Sequence, residues 1–152
     1  MKIVIKNILC PVDFSECSNH ALDYAIAFAQ AHDAELTLLH VTELPVSASL
    51  DFPVTPNLIE KISENGKKQV KAKEIQVAEQ HSKVKSVHFT GNSFVEIIKY
   101  ARESRADLLV LGTHGTKSLA HVLMGDVSEK VVRKAPCPVL TIKHPEHEFI
   151  MP

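Results

Sequence analysis

Residues 8–41 read ILCPVDFSECSNHALDYAIAFAQAHDAELTLLHV, and the hydrophobic period changes twice within them. Ile8 to Val12 is a short continuous apolar run, the pattern of a strand buried on both faces. Ser15 then offers an N-cap. Ala21, Leu22, Ala25, Ile26 and Ala29 follow at spacings of three and four, the stripe of an amphipathic helix of about 17 residues. Leu36 to Val41 (LTLLHV) closes the unit as a second strand. A strand, a helix and a second apolar strand in succession make a right-handed crossover with parallel strands.

The same alternation continues outward. Residues 42–56 hold Pro45, Pro53 and Pro56 and read as a surface loop. A long polar helix is expected over 57–82, with Leu58, Ile59, Ile62, Val70, Val77 and Ala78 as a thin apolar stripe. Gly66 weakens its middle, so either one helix or two pieces fits. Lys67, Lys68, Lys71 and Lys73 are its wet face. Val84 to Thr90 makes a third strand, and Ser93-Phe-Val-Glu96 is a capping-box pattern opening a helix to Glu103. Leu108 to Leu111 is the fourth strand, 126–134 the fourth helix and Val139 to Ile142 the fifth strand. The expected fold is α/β: one doubly wound, five-stranded parallel sheet of order 3-2-1-4-5, with helices on both faces. Residues 1–143 form one domain and 144–152 a tail. In that order the winding reverses between strands 1 and 4, so the residues after Val12 and after Leu111 should face one crevice.

Composition narrows the function classes. The chain has 152 residues, 45% apolar and 23% charged, which suits a globular domain able to bury roughly 70% of its unfolded surface. Seventeen Lys and Arg against eighteen Asp and Glu leave a net charge of −1, without the basic excess of a nucleic-acid binder. No run of 18 apolar residues exists, so no membrane helix is expected, and no secretory leader is legible. Cys10, Cys17 and Cys137 form no CxxC pair, which points to a reduced, cytoplasmic protein. Cys10 reads as inert packing; Cys17 in the first helical turn allows a redox role through a lowered pKa.

Of five glycines, three punctuate one segment: Gly112 and Gly115 at the end of the fourth strand, and Gly125 just before the fourth helix. Glycines so placed let backbone N–H groups approach an anion, and the helix N-terminus adds partial positive charge. Neither GxGxxG nor GxxxxGK[ST] occurs. The segment from Gly112 to Gly115, with GDVSEKVVRKAPCPVLTIK from Gly125, resembles the signature of the universal stress protein (UspA-like) family, whose nucleotide-binding members carry G-x2-G-x9-G-[ST]. The opening ILCPVDFSECSNHALDYA, with Asp13, and LTLLHV are similar to it too.

The resemblance implies a cytosolic α/β domain that binds ATP, with AMP or ADP as alternatives, and that dimerises through its last strand. By matching positions, Pro11, Val12, Asp13 and Val41 would surround adenine and ribose. Leu111, Gly112, His114 and Gly115, with Gly125, Asp126, Val127 and Ser128, would surround ribose and phosphates. Asp13 can accept hydrogen bonds from sugar hydroxyls or serve as a turn residue before helix 1. The family's Ser or Thr after the third glycine is Asp126 here. A carboxylate only accepts, and Asp126-Val-Ser-Glu129 is a good capping box, so Asp126 is expected to occupy the anion site with its own charge. About 4 Å from a phosphate it would cost up to ~4 kcal/mol at an effective dielectric near 20. A bridging Mg²⁺, the Ser128 hydroxyl or Lys117 would soften that cost.

Three rival readings stand beside this one. No GxSxG, HExxH or Ser/His/Asp set supports a hydrolase, so no catalytic residue is assigned and at most slow ATP hydrolysis is expected. Nine histidines invite a metal, yet His114, His121 and the His144–His147 cluster lack structural-zinc spacing, and no metal ligand is assigned. A dimeric interaction module without nucleotide, acting on a regulatory protein partner, is the third. Val139, Leu140, Thr141 and Ile142 would form a sheet edge, which antiparallel pairing across a twofold axis would hide.

Overall fold

A computed structural model describes residues 1–44, 54–114 and 124–144. Its elements run β1 (Asn7–Pro11), α1 (Glu16–His32), β2 (Glu35–Thr42), α2 (Pro56–Ala78), β3 (Val84–Thr90), α3 (Ser93–Glu103), β4 (Leu108–Gly112), α4 (Asp126–Lys134) and β5 (Val139–Ile142). All strand pairs are parallel and the order is β3-β2-β1-β4-β5, as the alternating pattern implies.

Strand side chains alternate between two faces, and each face has its own core. Ile8, Cys10, Leu36, Leu38, Leu108 and Val110 pack against the Ala21, Leu22, Ala25, Ile26 and Ala29 stripe of α1 and against Val70 and Val77 of α2. Leu9, Leu39, Leu109 and Leu111 pack against Ile97 and Ala101 of α3 and Val131 of α4. Leu36, Leu38 and Leu109 are fully buried, and each such leucine stabilises the fold by about 1.5–3 kcal/mol. Cys10 is also buried, and desolvation pushes its thiol up to about 12, as inert packing requires. Cys17 is buried too, its thiol donating to the Ile142 carbonyl at 3.5 Å. Its sulfur is a packing atom between α1 and β5, which removes the redox role.

Several local expectations need correction. α2 is one continuous helix, not two pieces. Gly66 is buried where a Cβ would fall on the Thr42 hydroxyl and come within 3.0 Å of His88 Nε2 and 3.1 Å of His40 Cδ2. The glycine therefore marks close helix–sheet approach. α2 ends at Ala78, short of residue 82, because the chain turns to bury His81, whose Nε2 donates to the Ala34 carbonyl at 2.8 Å. α3 is capped by Asn92, whose side chain accepts from Val95 N–H; Ser93 is the first helical residue, and its own N–H donates to Glu43 Oε1 at 3.0 Å.

The two sheet edges are treated differently. On β3, Ser86 turns its N–H and hydroxyl to Glu74 of α2, at 2.9 and 2.5 Å. Ser63 and Thr90 share a further hydrogen bond of 3.0 Å between α2 and the end of β3. That edge is covered. On β5, Pro138 and Ile142 present their carbonyls to β4 and to Thr113 N–H, so by alternation Val139 and Thr141 turn theirs outward. Among the described residues no helix is long and apolar enough to cross a membrane.

Candidate functional site

β1 and β4 are in register only at Ile8↔Leu108 and Leu9↔Leu109. Pro11 has no N–H to extend that ladder, and beyond it the strands part. The opening is a cavity of about 770 Å³ at the carboxyl ends of the strands, within the ~300–1,000 Å³ range of small-molecule sites. Residues after Val12 and after Leu111 do face one crevice.

The cavity brings together Pro11, Val12, Asp13 and Val41 from the ends of β1 and β2, and Leu111, Gly112 and His114 from the end of β4. Gly125, Asp126, Val127 and Ser128 of the α4 start complete the described set; Gly115, Lys117 and His121 lie outside the described residues. Asp13 Oδ1 accepts from Ser15 N–H at 3.0 Å and from the Ser15 hydroxyl at 2.5 Å, while Asp13 N–H donates to Ser18 Oγ at 3.1 Å. The carboxylate thus holds the turn in which Phe14 sits at φ 64°, and it does so on the cavity wall. Val12 N–H donates to the Leu39 carbonyl, so alternation aims the Val41 N–H and carbonyl past the end of β1, where a planar hydrogen-bonding edge can meet them.

The ends of the glycine segment are pinned together. Gly125 N–H donates to the Thr113 carbonyl at 2.5 Å, and the Ser128 hydroxyl donates to the Gly112 carbonyl at 2.7 Å. Ser128 therefore spends its proton on the fold and is not the hydroxyl donor that the sequence suggested. α1, α2 and α3 each have a side-chain cap, from Ser15, Thr55 and Asn92. Among the described residues α4 starts at Gly125 with no side-chain cap, and Asp126, Val127 and Ser128, whose N–H groups belong to its first turn, line the cavity. Asp126 is neither the cap nor the occupant of that anion position. It is the first helical residue, its side chain is 77% exposed, and its carboxylate is 3.0 Å from Lys130 Nζ.

Sequence reading missed the rest of the wall. Thr42 ends β2 and Glu43 follows it, Ile62, Asn65 and Gln69 come from α2, and Phe94 and Ile97 from α3. Nothing local marks them, since α2 and α3 reach the cavity only through the sheet order. Lys130 could have been found, lying one helical turn beyond Asp126. His40 lines the cavity as well; its Nδ1 donates to the Val12 carbonyl at 2.7 Å, and its ring lies 4.6 Å from Phe14 and 5.8 Å from His88. His88 Nε2 and the Thr42 hydroxyl share a 2.8 Å hydrogen bond. Burial, then neighbouring His40 and Lys67, lower the His88 pKa from 6.5 against the pull of Glu64. Unfolded chains then take up this proton before folded ones. Stability from this site is intact above pH 6.5 and is lost below it, as pH falls through the lowered folded pKa. His88→Gln is expected to flatten the fall in melting temperature between pH 7 and 5; a parallel pH profile in the variant rejects the assignment. Among the described residues no cluster of three metal-ligating side chains forms.

Comparison with known proteins gives one answer. The model of the universal stress protein family matches residues 5–143. A universal stress protein of Methanocaldococcus jannaschii is 33% identical over 144 residues, covering 94% of this chain and 85% of its own. The solved structure of UspA from Lactobacillus plantarum superposes with a TM-score of 0.76 at 31% identity, over 93% of this chain and 99% of that one. A universal stress protein from Archaeoglobus fulgidus, solved in complex with dAMP, shares the fold at 19% identity and a TM-score of 0.64, over 93% of this chain and 100% of its own.

Proposed function

Because the chain belongs to the universal stress protein family, we propose that it binds an adenine nucleotide in the cavity between β1 and β4. It would act as a stress-response sensor, not as an enzyme with efficient turnover. One observation carries this reading: the start of α4, without a side-chain cap among the described residues, lines a cavity that is also lined by Val41 and Asp13. An anion at the helix start satisfies its first-turn N–H groups, and the strand ends offer a base edge and a ribose their partners. The dAMP complex of the Archaeoglobus fulgidus protein supports an adenine nucleotide as the ligand class. Slow ATP hydrolysis at most is expected. ATP with Mg²⁺ is the ligand proposed, with Asp126 as the residue that would hold the cation, since a carboxylate is a hard-cation ligand.

The second reading is an interaction module without nucleotide, favoured by the carboxylate of Asp126 at the first turn of α4. Titration calorimetry with AMP, ADP and ATP, with and without Mg²⁺, on protein freed of co-purified nucleotide, decides between them. Binding near the micromolar range supports the sensor; no heat with any nucleotide favours the interaction module. We further propose a homodimer in which Val139, Leu140, Thr141 and Ile142 of β5 pair antiparallel with a second copy, covering the edge where Val139 and Thr141 face outward. A monomer in sedimentation at tens of micromolar overturns the dimer. The setting we propose is the cytoplasm, with a regulatory protein as downstream partner and no nucleic acid.

A further inference from the structure

The described wall of the cavity carries three carboxylates, Asp13, Glu43 and Asp126, against one Lys or Arg side chain, Lys130. Asp13 is held on Ser15, and Glu43 accepts from Ser93 N–H, so both are tied to the fold. Asp126 and Lys130 are different. They lie one turn apart on α4, 3.0 Å from each other, at 77% and 54% side-chain exposure, and both border the cavity beside the uncapped N–H groups. An exposed pair of this kind is weak and exchangeable, because solvent screens it and the long Lys130 side chain can swing away.

We propose that the Asp126–Lys130 pair sets how many phosphates the site accepts, making it selective for an adenine nucleoside monophosphate over the triphosphate when no divalent cation is present. This rests on the nucleotide reading above and deepens it. A single phosphate at the start of α4 is served by the backbone N–H groups, and Lys130 stays on Asp126. A longer phosphate chain passes Asp126, which repels it, and draws Lys130 away, which leaves the carboxylate unneutralised. The ligand with more negative charge therefore loses the more. Removing the carboxylate abolishes most of that preference, because Lys130 is then released to the phosphates.

The test is calorimetric titration of AMP and ATP in excess EDTA against the wild type, Asp126→Ser, Lys130→Met and Lys130→Arg, with thermal melts to verify folding. The quantity read is the ratio of ATP to AMP affinity. The wild type is expected to favour AMP about tenfold or more. Asp126→Ser should raise the ratio about tenfold, Lys130→Met should lower it about fivefold, and Lys130→Arg should leave it within about twofold. AMP binding with a ratio that moves less than about twofold in both Asp126→Ser and Lys130→Met overturns the selectivity device and leaves the nucleotide reading standing. Absence of AMP binding to the wild type overturns both.

Discussion

Gly66→Val is expected to lower stability by about 3 kcal/mol, which for a chain of this size is a fall of roughly 6–12 °C in melting temperature. The added side chain falls on Thr42 and the His40 and His88 rings, where α2 crosses the ends of β2 and β3. Helix α2 must then lift from the sheet, or the 2.8 Å Thr42–His88 hydrogen bond must break, leaving a half-buried imidazole without its partner. Because Ile62 and Asn65 line the cavity from the same helix, lifting α2 also widens the candidate site. Gly66→Ala is the milder form, since alanine regains about 1 kcal/mol of helix propensity. Adding Thr42→Ala to it removes the struck hydroxyl, so the two losses should fall short of additivity by about 1 kcal/mol. Unchanged melting of Gly66→Val, or additive losses in the pair, rejects the close-approach account.

That glycine marks the boundary between what could be read and what could not. From one dimension Gly66 is a helix weakener, and only the packing of α2 over β2 and β3 turns it into a requirement. β1, β2 and β4 were legible because burial leaves a nearly continuous apolar run, and β3, though half-buried and more polar, also falls at the residues expected, Val84–Thr90. The strand order followed from the alternation of elements, and with it the crevice between Val12 and Leu111. Helix ends were less legible, because their partners are distant in sequence. Asn92 takes the cap position next to Ser93, whose N–H is satisfied by Glu43, fifty residues earlier. His81 stops α2 by reaching Ala34, 47 residues away. The site divides on the same line. Its strand-end and glycine residues carry local signals, while Ile62, Asn65, Gln69 and Phe94 join it only through topology. Asp126 was visible as a departure, but the direction of its side chain was not: the capping-box pattern pointed it at the helix start, and Lys130 draws it outward.

Gly112→Ala is expected to cost about 2–3 kcal/mol of stability, and to weaken any nucleotide bound at the strand ends by about tenfold. A Cβ at this position would lie 2.8 Å from Cys17 Sγ, 3.0 Å from the Cys17 carbonyl oxygen and 3.1 Å from its carbonyl carbon. A sulfur can rotate away, but two of these three atoms are backbone in the first turn of α1, so the strand end itself has to move. Three hydrogen bonds move with it: the Ser128 hydroxyl to Gly112, Thr113 N–H to Ile142, and Gly125 N–H to Thr113. These bonds hold the start of α4 beside β4, and the N–H groups proposed to receive phosphate are displaced with them. Gly125 offers the contrast. Its φ of −68° and ψ of 158° are open to any L residue, so Gly125→Ser should melt within about 1 kcal/mol of the wild type. Its hydroxyl would cap α4 and compete with the phosphate, so affinity should fall while stability holds. Gly112→Ala losing stability and affinity together, and Gly125→Ser losing affinity alone, is the expected outcome of paired melts and titrations. If Gly112→Ala melts like the wild type, the contact with Cys17 does not position the site. If Gly125→Ser binds AMP as tightly as the wild type, the start of α4 is not where the phosphate sits.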